Sequence, residues 1–211
     1  MNLSAINIKK YTEGFTLVEF IVIMAIFAVM VGVVLFNFTG FRSKITLDNL
    51  AQDIAISIRQ IQTSAGASIS TTDSPEDEIP RGIFFPYSPD LGTYDSRFIT
   101  FQDNNGNGLY DDGEEIDTIV FQTPDRITDI IYGSDMASLL TPLGPQSLGI
   151  TFRRFSTGAR FTDTGGGTVS NAGIVRIKVT AVDRRTSRFI TISRIGQVSV
   201  QADTTDVVPT P

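Results

Sequence analysis

The longest apolar pattern lies near the amino terminus. Every residue from 20 to 36 is apolar or glycine, and the surrounding segment 15–38 has three polar residues in 24 positions. A helix of that length spans about 36 Å, against about 30 Å for the hydrocarbon core of a bilayer. The residues that follow lack the small-residue pattern of a signal-peptide cleavage site. The pattern predicts a membrane-spanning helix over residues 15–40. We expect the short amino terminus in the cytoplasm, because the large polar remainder of the chain is the part suited to export.

A second helical pattern, of different character, covers residues 41–67. Apolar positions recur every three or four residues, while charged residues lie mostly off this stripe. The stripe consists of Leu47, Leu50, Ile54, Ile58, Ile61 and Ala65. We expect an amphipathic helix that continues from the membrane segment and ends near Gly66. The polar stretch 68–80 that follows is typical of a loop.

Beyond Gly82 the pattern changes to that of strands. In segment 174–182, apolar residues alternate with Arg176, Lys178 and Thr180, which indicates half-buried antiparallel sheet. The candidate strands are 82–85, 98–102, 118–122, 127–132, 149–155, 174–182, 188–193 and 197–201. We expect a flexible glycine-rich loop over 162–173, a flexible tail over 202–211 and an exported β-rich domain over 68–201. The fold class is α+β, with a long amino-terminal helix packed on antiparallel sheet.

Composition narrows the chemistry. The 211 residues include no cysteine and no histidine, which excludes disulfides, thiolate metal sites and a histidine general base. The remaining side chains suggest no nucleophile with a base and an orienting partner. The triple glycine at 165–167 lacks the strand and helix context of a phosphate-binding loop. We therefore expect a protein that is not an enzyme.

The start of the apolar segment has a specific local pattern. Lys9 and Lys10 precede Gly14 and Phe15, and Glu19 stands four residues after Phe15. This pattern resembles the prepilin processing site of type IV pilins and type II secretion pseudopilins. The resemblance implies that prepilin peptidase removes residues 1–14, that the new Phe15 amine is methylated and that Glu19 meets this amine on a neighbouring subunit.

The same resemblance implies partners and a location. The partners are other pilin or pseudopilin subunits, the peptidase and an inner-membrane assembly platform. The subunit would sit in the cytoplasmic membrane as a single-pass protein with its amino terminus inside, and then enter a periplasmic or cell-surface filament. Two features depart from the family. Phe20 stands where leucine is common, and the proline that many pilins carry late in the apolar helix is absent, since no proline occurs before Pro75.

Physical reasoning about Glu19 supports the resemblance. A charged side chain in an apolar span costs about 2.5–3.5 kcal/mol at mid-bilayer, so it normally has a partner. A newly exposed amino-terminal ammonium is such a partner. The alternative is a simple signal anchor in which Glu19 lies at the headgroup level.

The exported region carries a second resemblance. The segment 81–85, the segment 98–101 leading into an Asp/Asn/Gly loop, and a closing strand pair around 195–198 are similar to H-type minor pseudopilins and related minor pilins. This resemblance implies the pilin fold and a structural subunit, a minor pilin or pseudopilin, of a type IV pilus or a type II secretion pseudopilus. The sequence leaves open which of these filaments it joins.

The loop at 103–114 has the spacing of a calcium loop. It matches D-x-[DN]-x-[DN]-G with glutamate at the twelfth position, and Gly108 permits the sharp turn. The predicted ligands are Asp103, Asn105, Asn107, Leu109 through its carbonyl, Asp111 and Glu114. Flanking strands argue against an EF-hand proper. The alternative is a connection rich in turn-forming residues.

Charge is segregated along the exported region. Residues 70–149 hold 15 acids and 3 bases, whereas 150–201 hold 9 bases and 2 acids. The bases are Arg153, Arg154, Arg160, Arg176, Lys178, Arg184, Arg185, Arg188 and Arg194. They could form a DNA-binding face, as in some minor pilins that this chain resembles. No aromatic stacking pattern accompanies them, which favours packing of basic against acidic surfaces within or between subunits.

Overall fold

The computed structural model describes residues 14–67, 79–135, 140–154, 156–165, 167, 169 and 171–203. Its helix α1 covers Leu17–Gly66. The strands are β1 Arg81–Phe85, β2 Tyr87–Ser88, β3 Thr93–Tyr94, β4 Arg97–Gln102, β5 Glu115–Val120, β6 Arg126–Gly133, β7 Thr141–Pro142, β8 Leu148–Arg153, β9 Ser156–Asp163, β10 Ile174–Thr180, β11 Ser187–Ser193 and β12 Val198–Ala202. The α+β prediction is confirmed.

Helix α1 has ends that its sequence explains. The Thr16 hydroxyl accepts a hydrogen bond from the Glu19 backbone N–H at 3.2 Å, which satisfies one of the free donors of the first turn. A threonine followed three residues later by glutamate is the sequence of a capping box. The helix ends at Gly66, as its apolar pattern predicts.

The chain divides into two compact units, residues 1–41 and 42–211. In the first unit, the helical segment Leu17–Leu35 is long and apolar enough to cross a membrane. Its large apolar side chains are exposed within this chain on every face of the helix.

The second unit contains two five-stranded antiparallel sheets and the small β2–β3 hairpin. The first sheet has the strand order β5-β4-β1-β8-β9, and the second has the order β12-β11-β10-β6-β7. The first sheet shifts register between Thr100 and Phe101 against β5, and between Phe152 and Arg153 against β9. Its edge strands are therefore irregular.

The amphipathic stripe of α1 is buried, as predicted. All six stripe residues belong to a single apolar cluster with residues of both sheets. Ile83 and Phe85 of β1 and Val175 and Ile177 of β10 are fully buried members of it. The Arg188 guanidinium of β11 also pairs with the Asp48 carboxylate of the helix. The helix therefore packs on both sheets through apolar side chains and is also joined to the second sheet by an ion pair.

Most predicted strands are present, with three differences. The strand predicted at 118–122 runs instead from Glu115 to Val120, because this edge strand has little burial to give an alternating pattern. Strand β9 was not predicted, although Ala159 and Phe161 are buried in it. Three two-residue strands were too short to give a pattern.

Two segments that were predicted to be flexible make internal contacts where the structure describes them. In the glycine-rich region 162–173, Val169 and Ala172 are buried, and the Asp163 carboxylate accepts hydrogen bonds from the backbone N–H groups of Gly165, Gly167 and Val169. In the predicted tail, Asp203 is buried and pairs with Lys178 at 2.9 Å. The rest of the tail, and residues 68–78 of the loop at 68–80, lie outside the described residues.

Candidate functional site: the amino-terminal segment and the 103–114 loop

The predicted processing residues lie directly before α1. Phe15 is 78% exposed, and Gly14 has no neighbouring atom within reach of an added side chain. Glu19 is exposed and occupies the third helical position, where a carboxylate interacts favourably with the helix dipole. The leader, with Lys9 and Lys10, lies outside the described residues. The bond between Gly14 and Phe15 is thus accessible, and Glu19 lies one turn from it.

The 103–114 loop joins β4 to β5 and is packed against the first sheet. Phe84, Ile99 and Phe101 point away from the main core and form a small apolar cluster with Leu109 and Tyr110 of the loop. The Tyr110 ring centroid lies 5.8 Å from that of Phe84 and 6.2 Å from that of Phe101. The middle of the loop therefore covers the outer face of this sheet.

Two glycines allow the loop to come so close. Gly108 has φ +85°, a conformation that side-chain-bearing residues rarely adopt. A methyl group on Gly149 of β8 would collide with the Gly108 carbonyl oxygen. The Arg160 side chain of β9 also holds the loop, because it donates hydrogen bonds to the carbonyl oxygens of Gly106 at 2.9 Å and Asn107 at 3.3 Å. The loop is held by strands distant from it in sequence.

The structure brings three of the predicted metal ligands together. The side-chain amides of Asn105 and Asn107 both donate to Asp111 Oδ2 at 2.7 Å. Glu114 instead accepts from the backbone, with Oε1 on the Asn104 N–H at 2.8 Å and Oε2 on the Asp111 N–H at 3.1 Å. Among the described residues, no three Asp, Glu, His or Cys side chains are arranged to hold a metal ion.

Asp103 stands at the base of the loop. Its side chain is 1% exposed, and Oδ2 accepts a hydrogen bond from the Gly108 N–H at 2.9 Å. The other oxygen, Oδ1, is buried and has no hydrogen-bond partner. Burial raises the pKa of Asp103, the backbone N–H groups of Gly108 and Gly106 lower it, and the Glu114 carboxylate raises it further. The loop thus encloses a carboxylate that is costly to ionise.

The sequence did not predict the contacts that hold the loop. Tyr110, Gly149 and Arg160 were not identified as its supports. A signal was present, since β1 and β4 carry apolar residues on both faces, which requires cover on both. The identity of that cover could not be deduced from local pattern.

The basic residues of the carboxyl-terminal part are distributed over both sheets. Arg153 and Arg160 belong to the first sheet, whereas Arg176, Lys178 and Arg188 belong to the second. Arg176 stacks over the Phe189 ring at 4.2 Å. With the pairs that Lys178 and Arg188 make, several of these charges are engaged within the subunit.

The amino-terminal segment matches a known family model. Residues 9–35 match the model described as the prokaryotic N-terminal methylation motif. This match supports a type IV pilin-like protein. No curated protein and no solved structure matches the chain.

Together with the apolar span, the motif fits a membrane-anchored structural protein. The motif implies processing by prepilin peptidase and assembly with other pilin subunits. The match ends at residue 35, at the same position as the span Leu17–Leu35. The β-rich unit, and the 103–114 loop in it, lie outside the matched residues.

Proposed function

We propose that this chain is a structural subunit, a minor pilin or pseudopilin, of a type IV pilus or a type II secretion pseudopilus. The observation that carries the proposal is the exposed apolar helix with Glu19 in its first turn, directly after the Gly14–Phe15 bond. Prepilin peptidase, neighbouring subunits and an inner-membrane assembly platform are its partners.

The exposed segment needs a surface outside the subunit. Large contiguous apolar patches on a protein mark a membrane or protein contact. Before assembly the bilayer meets this requirement, because its hydrocarbon core matches the length of the span. In a filament the helices of neighbouring subunits take over that role, so the same side chains serve as anchor and as assembly surface.

Glu19 gives this assembly its register. Cleavage after Gly14 places an ammonium at Phe15, next to the positive end of the helix dipole, where a cation is unfavourable. A carboxylate from an adjacent subunit offsets both charges. Removing one member of a buried pair commonly costs about 3–5 kcal/mol, enough to decide whether a subunit enters the filament at that position.

The test is to replace Glu19 with glutamine, which keeps the volume and removes the charge. We expect normal processing and membrane insertion with at least tenfold less subunit in sheared filaments, consistent with about 1.4 kcal/mol per factor of ten. Asp53→Asn is the matched control, since Asp53 is an exposed carboxylate on the same helix. Equal amounts of Glu19→Gln and wild type in filaments would refute the role of Glu19.

The proposal of a minor role is supported by the resemblance of the exported region's sequence to H-type minor pseudopilins and related minor pilins, which leaves the kind of filament open. Quantitative mass spectrometry of purified filaments tests the minor role, with an expected ratio far below one copy per major subunit. Finding the subunit in a retractable surface pilus would assign it to the pilus system, and finding it in a secretion pseudopilus would assign it to the secretion system.

DNA binding is the alternative function, favoured by the excess of bases in residues 150–201. Exposed Arg184 and Arg185 at the β10–β11 turn are the residues such binding would use. The alternative predicts that the full chain in detergent binds duplex DNA with a steep salt dependence and that replacing both arginines with alanine weakens it. Absence of binding at low salt would eliminate this function.

A further inference from the structure

We propose that the 103–114 loop is a calcium site, with Asp103, Asn105, Asn107, the Leu109 carbonyl, Asp111 and Glu114 as its ligands. This goes beyond assembly through α1, because none of these residues belongs to the helix. The spacing of the oxygens is the first observation. The buried, unpartnered Oδ1 of Asp103 is the second.

Asp103 is directed into the loop. Its Oδ2 accepts from the Gly108 N–H in the middle of the loop, and its Oδ1 is buried. A buried carboxylate oxygen without a donor is unfavourable. A cation inside the loop would complete its coordination.

Ion binding would require the other ligands to rearrange. The side-chain amide nitrogens of Asn105 and Asn107 meet at one carboxylate oxygen, Asp111 Oδ2, while their amide oxygens accept from the backbone N–H groups of Asn107 at 2.9 Å and Leu109 at 2.6 Å. An ion would replace the amide donors at Asp111 and attract the amide oxygens. Glu114 would exchange its bonds to two backbone N–H groups for bidentate coordination. Arg160 does not compete, because it bonds to the carbonyls of Gly106 and Asn107, which the pattern does not use as ligands.

The donor set selects the ion. All six donors are oxygen atoms, and the chain has neither cysteine nor histidine, so zinc and copper are disfavoured. A loop that offers carboxylate, amide and carbonyl oxygens suits Ca²⁺, whereas Mg²⁺ demands a tighter octahedral arrangement. Because Leu109 and Tyr110 cover Phe84 and Phe101, ion binding would also stabilise the cover on the first sheet.

The test uses the full chain in detergent and Ca²⁺ as the probe. Titration calorimetry should give a dissociation constant of about 0.1–1 mM, with weaker binding of Mg²⁺. Asp111→Asn should weaken Ca²⁺ binding at least about tenfold. Asp112→Asn is the matched control, since it removes a neighbouring charge at a position that is not a ligand, and it should change the affinity less than about threefold.

A second measurement locates the ion. Terbium should bind the same oxygens and luminesce when the Tyr110 ring is excited. Tyr110→Phe should abolish that luminescence and leave the Ca²⁺ binding heat in place. No binding heat and no luminescence would overturn the proposal, as would equal losses for Asp111→Asn and Asp112→Asn, or luminescence that persists in Tyr110→Phe.

Discussion

The two parts of α1 share one helical backbone and differ in their relation to solvent. From Leu17 to Leu35 the side chains are apolar on every face and exposed within the chain. From Leu47 to Ala65 a single stripe is apolar, and it is buried against the sheets. Helical structure therefore says little about what a segment contacts. The distribution of apolar residues around the helix shows whether its partner is in the same chain.

The largest expected effect concerns the first part of the helix. Gly14→Arg should leave the whole protein as an uncut precursor in the membrane, because a bulky charged side chain cannot enter the small site that cleavage after glycine requires. Intact-mass spectrometry measures the outcome. Gly14→Ala, which keeps a small residue, should still be cut. A methylated chain beginning at Phe15 in the arginine variant would show that this position does not control processing.

The next effect tests the second part. Ile54 is fully buried, and Ile54→Ala should lower the free energy of unfolding by about 2–5 kcal/mol. Ile56 is 46% exposed, and Ile56→Ala should change it by less than about 0.5 kcal/mol. Thermal unfolding of the full chain in detergent measures both. Ile26→Ala, in the first part, should leave this transition unchanged, and a comparable loss there would remove the distinction between the two parts.

A smaller effect is expected where the loop meets the sheet. Gly149→Ala should destabilise the β-rich unit by about 1–3 kcal/mol, because the added methyl displaces the Gly108 carbonyl. Acrylamide should then quench the fluorescence of Tyr110 more strongly, because its ring becomes more exposed. Gly66→Ala is the control, since open space surrounds Gly66. Unchanged quenching and stability would mean that the loop does not depend on close approach to β8.

The smallest effect concerns the charge pair between helix and sheet. The side chain of Asp48 is 50% exposed and that of Arg188 is 16% exposed, so solvent screens their attraction. A double-mutant cycle with Asp48→Asn and Arg188→Met should give a coupling of about 0–1 kcal/mol that declines with salt. A coupling above about 2 kcal/mol would mean that the ion pair, as well as apolar packing, makes a main contribution to holding the second part of α1 on the sheets.

The sequence correctly predicted the elements that bury one face and expose the other. The stripe from Leu47 to Ala65 and the alternation in β10 both have a strong period, and both were located correctly. Strand β9 was missed because Gly158 and polar residues weaken its pattern, and β5 was displaced because it is an exposed edge strand. Long-range partners cannot be found in local periodicity.

The candidate site shows the same limit. The spacing in 103–114 identified Gly108 as a turn, and its positive φ agrees. The convergence of Asn105, Asn107 and Asp111 also lay within one short segment. The supports from β8 and β9, and the hydrogen bonds that occupy Glu114, depend on tertiary packing. The contact of Asp203 with Lys178, which keeps the start of the predicted tail in place, is a further example.

The sheet edges described above have a consequence for aggregation. Exposed edge strands can pair with other chains. Here β7 has two residues, one of them Pro142, and both edges of the first sheet have shifted register. On β12 the Arg59 side chain of the helix occupies the Val198 carbonyl at 2.8 Å. The edges of both sheets thus offer few places where another chain could add a strand, so edge-to-edge aggregation of this unit is disfavoured.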